Sequence, residues 1–158
     1  SLVPELAIGD CLVADQGLCG EGTSAYYSKD PEPKPSADLC GRLQRILDRA
    51  QMSWHKGRIW STDAPYREAR SLLREVHERH GIVAVDMEYT ALCTVAAFRG
   101  VKLAALFVIS DEIWRKQWTA GFTRSDFKLQ LRQTITELLA AMAAGNFSEQ
   151  SSGGQDNA

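Results

Sequence analysis

The chain has 158 residues, of which 44% are hydrophobic and 24% are charged, and its net charge is −2. This composition is typical of one globular domain, and the small negative charge gives no basic surface for a nucleic acid polymer or an anionic membrane. The longest apolar run, over 103–109, is too short to span a bilayer, so no membrane partner is expected.

Strands and helices alternate along the chain. The patterns predict strands over 6–14, 53–60, 82–85 and 103–109, and helices over 37–50, 66–80, 89–99 and 126–144. The glycine-rich stretch 16–24 and the proline-rich stretch 29–36 are predicted to be loops. This alternation predicts an α/β fold with a largely parallel sheet.

The end of the chain and the cysteines carry little chemistry. Residues 145–158 are rich in Gly, Ser, Gln and Asn and are predicted to form a disordered tail after the domain over 1–144. The four cysteines lack the C-x₂-C spacing of a metal or redox site. Together with an N-terminus unlike a signal peptide, this favours reduced thiols in a cytoplasmic protein without a metal.

Carboxylates follow three of the predicted strands. They lie in Ser-Thr-Asp over 61–63, Asp-Met-Glu over 86–88 and Ser-Asp-Glu over 110–112. If the three strands end at the same edge of one sheet, the clusters meet where open α/β sheets bind ligands.

Glu88 and Asp111 each have a structural and a functional interpretation, and their positions in the sequence do not decide between the two. Glu88 is a common helix N-terminal acid, or a carboxylate that accepts hydrogen bonds from vicinal sugar hydroxyls. Asp111 belongs to a turn or cap, or it is a general acid toward a leaving group. Asp63, before a turn with proline, is predicted to cap its own backbone.

The stretch VAVDMEYTALCTVAAFRGVKLAALFVISDE resembles the nucleoside phosphorylase/nucleosidase superfamily, which includes purine nucleoside and uridine phosphorylases. In that family a Met-Glu pair opens a helix, and the next strand ends in Ser-Asp. WSTDAPYRE and the early IGD and EGTS segments are similar to it in the same order. The resemblance implies a three-layer α/β/α fold with a largely parallel or mixed sheet that is incomplete at its N-terminal side.

The resemblance also implies roles for individual residues. Glu88 would hold the ribose hydroxyls while Met87 packs on the sugar, and Asp111, next to Ser110 in the binding site, would protonate or hydrogen-bond a purine nitrogen as the base leaves. Arg124 would assist that acid, or it is a surface arginine. Tyr66 would stack on the base, or it only packs.

The implied activity is cleavage of a nucleoside N-glycosidic bond by phosphate, with phosphate as co-substrate and no other cofactor. Hydrolysis of thio-nucleosides and nucleoside binding without catalysis are the alternatives. The resemblance implies that the chain corresponds to the C-terminal part of such an enzyme and lacks its phosphate-binding portion, so we expect impaired phosphorolysis. The expected partners are a small nucleoside, phosphate and further copies of the chain in a homo-oligomer.

Overall fold

A computed structural model describes residues 1–145, so the predicted tail lies outside the described residues except for Gly145. The elements are β1 (Cys11–Gly20), α1 (Ala37–Arg49), β2 (Trp54–Thr62), α2 (Arg70–His80), β3 (Ile82–Asp86), α3 (Tyr89–Arg99), β4 (Leu106–Val108), β5 (Asp111–Glu112), β6 (Thr119–Ala120) and α4 (Ser125–Ala143). Single 3₁₀ turns lie at Ser24–Tyr26 and Pro65–Arg67. No helix in residues 1–145 is long and apolar enough to cross a membrane.

The main sheet has the order β3-β2-β1-β4. β1, β2 and β3 are parallel, and β4 is antiparallel to β1. A separate hairpin pairs β5 with β6. The sheet is therefore mixed, as the predicted α/β class allows.

Helices cover both faces of this sheet, because side chains along β1 alternate between the two faces and pack against a different helix on each. Leu12 and Ala14 pack in a core cluster with Tyr89 and Cys93 of α3. Cys11 and Val13 point to the other face and pack against α1. Successive side chains of a strand face opposite sides, so one strand supplies two cores and the three-layer prediction is confirmed.

All four cysteines are free, which agrees with the predicted reduced thiols. Cys11, Cys40 and Cys93 are buried, whereas Cys19 is only partly buried. Burial raises the pKa of the Cys93 thiol to about 11, which makes it a small apolar core residue.

The prediction for β1 is wrong in position. The strand runs over Cys11–Gly20 rather than 6–14, and most of the predicted loop 16–24 is strand. A Cβ at Gly17 would lie 2.5 Å from Thr90 Cγ2, and one at Gly20 would lie 2.2 Å from Trp60 Nε1. These glycines mark close approach of neighbouring side chains to the strand and not a turn.

The helix predicted over 66–80 is shorter than expected. Pro65–Arg67 forms a 3₁₀ turn, and α2 begins only at Arg70. Proline favours the first position of such a turn, while the extended backbone of Ala69 (ψ 143°) separates the turn from the helix. The turn leaves Tyr66 on the surface, fully exposed.

The prediction that three strands end at one edge is wrong for the third strand. The run 103–109 contributes only β4, whose end at Val108 pairs with Cys11 at the start of β1. Asp111 lies near the ends of β2 and β3 for another reason. Ser1 and Leu2 lie beside β3, with Leu2 N donating to Val83 O, and Ile113 N donates to Ser1 O. The chain beyond β4 therefore follows residues 1–2 toward β3.

Candidate functional site

The ends of β2 and β3 are joined by the Asp86 carboxylate. Ser61 Oγ donates to Asp86 Oδ1 at 2.5 Å, and Ser61 and Asp86 are register partners in the sheet. The other oxygen, Oδ2, accepts from the backbone N–H groups of Glu88 (3.1 Å) and Tyr89 (2.7 Å). An aspartate that accepts from residues two and three positions later fixes the turn into α3. Asp86 thereby sets the backbone of Met87 and Glu88.

A second acid, Glu21, directly follows the end of β1 and supports the same junction. Thr90 Oγ1 donates to Glu21 Oε1 at 2.9 Å, and Glu21 Oε2 accepts from the N–H groups of Thr23 and Ser24. Burial alone would raise the pKa of Glu21, but these hydrogen bonds outweigh it and lower the pKa. Thr90 N also donates to Ser61 Oγ at 3.0 Å. The first turn of α3 is therefore tied to β1, β2 and β3.

A cleft of about 490 Å³ opens beside this junction. Residues from four separate segments line it: Pro65, Tyr66, Glu68, Val85, Asp86, Met87, Asp111, Ile113 and Trp118. Tyr66 and Met87 present exposed apolar surface to it, and Asp86, Glu68 and Asp111 supply carboxylates. The cleft is therefore shaped for a ligand with an apolar or aromatic part and several hydrogen-bonding groups.

Asp111 is held by two neutral donors. Trp118 Nε1 donates to Oδ2 at 2.7 Å, and Ser110 Oγ donates to Oδ1 at 3.2 Å. Nearby, burial and then the negative charge of Asp111 raise the pKa of Glu68. An acid with a raised pKa in a cleft, such as Glu68, is a candidate for proton transfer or ligand binding.

The remaining predicted site residues lie at or beyond the rim. Glu88 is exposed at the N-terminus of α3, next to Met87, and is not among the residues that line the cleft. Arg124 lies immediately before α4, also outside the cleft lining, and forms an ion pair with Asp126. The structure thus brings Tyr66, Met87 and Asp111 together in the cleft, joins Ser110 to Asp111 by a hydrogen bond, and pairs Arg124 with Asp126.

Asp63 has a structural partner, although not the predicted one. Its Oδ2 accepts from Gly22 N at 3.0 Å, which links the segments after β2 and β1. The local cap is made by Thr62, whose Oγ1 accepts from Ala64 N at 3.2 Å.

Sequence reasoning missed two residues of the site, Glu68 and Trp118, and gave Asp86 no role of its own. The role of Asp86 could have been found, because an aspartate between a strand and a helix start is a frequent cap. Glu68 and Trp118 carry no local pattern, since only the tertiary fold brings them to Asp111.

Another cavity, of about 510 Å³, lies between the start of β1, the end of α1 and α4. Amide and carboxylate side chains make up half of its lining residues, which fall within 8–10, 50–53 and 126–137, and none of the predicted site residues lines it. Within residues 1–145 no group of three or more His, Cys, Asp or Glu side chains is arranged to hold a metal ion.

A layered α/β fold with a cleft beside the carboxyl ends of parallel strands is typical of proteins that bind small ligands there. A model of the phosphorylase superfamily matches residues 1–144, and the chain belongs to this superfamily, which comprises nucleoside phosphorylases and nucleosidases.

Individual relatives agree with this assignment. A DeoD-type purine nucleoside phosphorylase of Bacillus thuringiensis (strain Al Hakam) is 34% identical over 95 residues, which cover 60% of this chain and 40% of the relative.

Solved structures share the fold at lower identity. A 5′-methylthioadenosine/S-adenosylhomocysteine nucleosidase from Helicobacter pylori has a TM-score of 0.72 at 22% identity, covering 91% of this chain and 64% of its own. The P. knowlesi homologue of P. falciparum PNP has a TM-score of 0.74 at 17% identity, and the match covers 92% of this chain and 58% of the homologue. The futalosine hydrolase of H. pylori strain 26695 has a TM-score of 0.69 at 22% identity, and the match covers 92% of this chain and 64% of the hydrolase. The chain therefore spans less than two thirds of the length of these relatives.

Proposed function

We propose that this chain forms the sugar-binding and base-binding part of an enzyme that cleaves a purine nucleoside at its N-glycosidic bond, with phosphate as the acceptor. One observation carries the proposal: Tyr66, Met87 and Asp111, far apart in sequence, line one cleft beside Glu88. The superfamily assignment and the DeoD-type relative favour this substrate class.

The arrangement suits the charge that develops when the bond breaks. The sugar becomes positive and the base negative, so a carboxylate near the sugar and a proton donor near the base stabilise the transition state more than the substrate. In this proposal Glu88 accepts hydrogen bonds from the ribose hydroxyls, and Met87 packs on the sugar.

On the base side, Asp111 donates a proton or hydrogen bond to a purine nitrogen, and Ser110 holds its carboxyl group. Tyr66 stacks on the base. Arg124 assists Asp111 after exchanging its Asp126 partner, which its exposed side chain permits. Loss of a general acid typically lowers a rate about 10²–10⁴-fold.

Hydrolysis is the second candidate. The nucleosidase and the futalosine hydrolase from H. pylori share the fold, and in such an enzyme water would replace phosphate at the sugar. A nucleoside-binding domain without catalysis is the third. We further expect the protein to be a cytoplasmic homo-oligomer that takes part in purine salvage and needs no cofactor besides phosphate.

Calorimetric titration with adenosine, inosine and 5′-methylthioadenosine, followed by an assay for released base, separates these candidates. We expect binding, with base release that is weak and depends on added phosphate. Release that is equal with and without phosphate would favour the nucleosidase. Binding without any release would favour the non-catalytic domain, and absence of binding to all three nucleosides would contradict the proposal.

A further inference from the structure

Trp118 lines the cleft, and the proposed function gives it no role. Its side chain is 60% exposed, and its ring lies 6.0 Å from the ring of Phe122, which is also exposed. Large aromatic side chains with this much open surface are frequently binding surfaces. The ring belongs to a cleft that also contains Tyr66 and Met87.

The β5–β6 hairpin explains why Trp118 lies on Asp111. Asp111 begins β5 and pairs with Ala120, and Glu112 pairs with Thr119. Trp118 therefore comes immediately before the returning strand, within reach of the residue that starts the hairpin. Its indole N–H donates to Asp111 Oδ2 at 2.7 Å.

The turn of this hairpin is anchored at both sides. Arg115 forms an ion pair with Glu112, which is only 4% exposed and accepts from Ile8 N at 3.2 Å. The guanidinium of Arg70, at the start of α2, donates to the carbonyl oxygen of Lys116. These contacts fix the loop against the body of the protein, so the position of the indole is set by the fold.

We propose that Trp118 recognises the purine base and positions Asp111, an inference that rests on the proposed function. The indole face packs on the planar heterocycle, and the indole N–H orients the carboxyl group toward a ring nitrogen. An aromatic side chain can stack on any planar heterocycle, whereas the oriented carboxyl group adds selectivity for a base whose ring nitrogen accepts a hydrogen bond or proton from Asp111.

Trp114 provides a matched control on the same turn. It is 37% exposed, but Arg115 stacks on its ring with 4.5 Å between the guanidinium carbon and the ring centroid, and it does not line the cleft. Trp54 is a second internal reference, because its Nε1 donates to Asp48 on the surface at 2.8 Å.

Indole N–H resonances of the ¹⁵N-labelled full chain test the proposal directly, because the chain has only four tryptophans. Adenine alone is the probe for the base subsite, and adenosine reports on base and sugar together. The resonance lost in Trp118→Phe assigns Trp118. We expect adenine to shift this resonance and to leave that of Trp54 unchanged.

Variants of Trp118 then measure how much this side chain contributes to adenine affinity. Trp118→Phe keeps a ring but loses the N–H, and should weaken adenine binding by roughly 2- to 13-fold, the equivalent of one hydrogen bond. Trp118→Ala also loses the stacking surface and should weaken it by about tenfold or more. Trp114→Phe should bind adenine like the parent.

An unmoved Trp118 resonance, or equal adenine affinity in the parent and both Trp118 variants, would overturn the inference. If adenosine still binds in that case and Glu88→Ala still weakens it, the proposed function survives. If the parent binds neither adenine nor adenosine, the inference and the proposed function fail together. A change in sedimentation of the Trp118 variants with unchanged adenine affinity would assign the ring to contacts between copies and would also overturn the inference.

Discussion

Asp86 does more for the site than its place directly before Met87 and Glu88 suggests. One carboxylate receives the hydroxyl of Ser61 and two backbone N–H groups at the start of α3. The position of Glu88 therefore depends on Asp86, although Asp86 carries no role in the proposed chemistry.

Asp86→Ala should destabilise the fold by about 1–3 kcal/mol, because it removes the cap of α3 and leaves Ser61 without its acceptor. Asp63→Ala is the control: this exposed acid accepts one backbone hydrogen bond, from Gly22, and its loss should cost at most about 1 kcal/mol. Urea unfolding midpoints measure both. Equal small losses would show that Asp86 does not hold the junction.

Glu68 and Glu21 should give opposite pH dependences. Burial and the charge of Asp111 raise the pKa of Glu68 above 4.5 in the folded state. Ionisation of Glu68 therefore destabilises the fold as pH rises from 4.5 through this raised pKa. Glu68→Gln should therefore be more stable than the parent at pH 7, with the difference vanishing in acid.

The pH dependence of stability that we expect from Glu21 has the opposite sign. Its pKa lies below 4.5 in the folded state, so its stabilisation is present at pH 7 and is lost as pH falls through the folded value. Glu21→Gln should be less stable at pH 7 and should approach the parent in acid. Thermal unfolding of both variants between pH 3 and pH 8 checks the pair, and curves that run parallel to the parent would contradict both assignments.

At the scale of elements, β1 shows what a single sequence can predict. The apolar alternation places a strand near residue 10, but Gly17 and Gly20 carry the same local pattern as a turn. Only contact with Thr90 and Trp60, which belong to other elements, shows that these glycines lie inside a strand. The helix over Tyr89–Arg99 needed no such information, because its apolar face and the glycine after it are local.

Gly17→Ala should destabilise the protein by about 1–3 kcal/mol, since the added methyl group would lie 2.5 Å from Thr90 Cγ2. Thr90→Ser removes that Cγ2 and keeps the hydroxyl that donates to Glu21. A double-mutant cycle should therefore give a favourable coupling of about 1 kcal/mol or more.

Gly41→Ala, inside α1, is the control and should leave stability unchanged or raise it by up to about 1 kcal/mol. Additive losses in the cycle would show that β1 and α3 are not in close contact at Gly17.

Local sequence patterns and tertiary contacts also differ in what they predict about the residues of the site. Met87, Glu88 and Asp111 are predicted as site residues from two short motifs that carry them in order, and that prediction still awaits its test. Their grouping was expected from three strands that end at one sheet edge, but β4 is antiparallel, and Asp111 reaches the cleft because the chain beyond β4 follows residues 1–2, which no local pattern predicts.

At the scale of the whole molecule, α4 presents an apolar stripe on its outer face. Ile135, Leu139 and Met142 are spaced by four and three residues and are 47%, 59% and 59% exposed. Exposed apolar surface of this kind favours association.

We therefore expect the purified chain to self-associate, and Leu139→Lys to lower its weight-average sedimentation coefficient. Gln133→Lys adds the same charge at an exposed position of α4 outside the stripe and should sediment like the parent. A parent chain that remains monomeric at every concentration tested would contradict this expectation.

The cleft beside Glu88 is proposed to bind a purine nucleoside through its sugar and its base. Calorimetric titration of adenosine into the parent, Glu88→Ala and the control Glu78→Ala, an exposed acid of α2, tests it most directly. We predict that binding is lost in Glu88→Ala and retained in Glu78→Ala. Adenosine binding with the same affinity in all three proteins would contradict the assignment of the sugar site to Glu88.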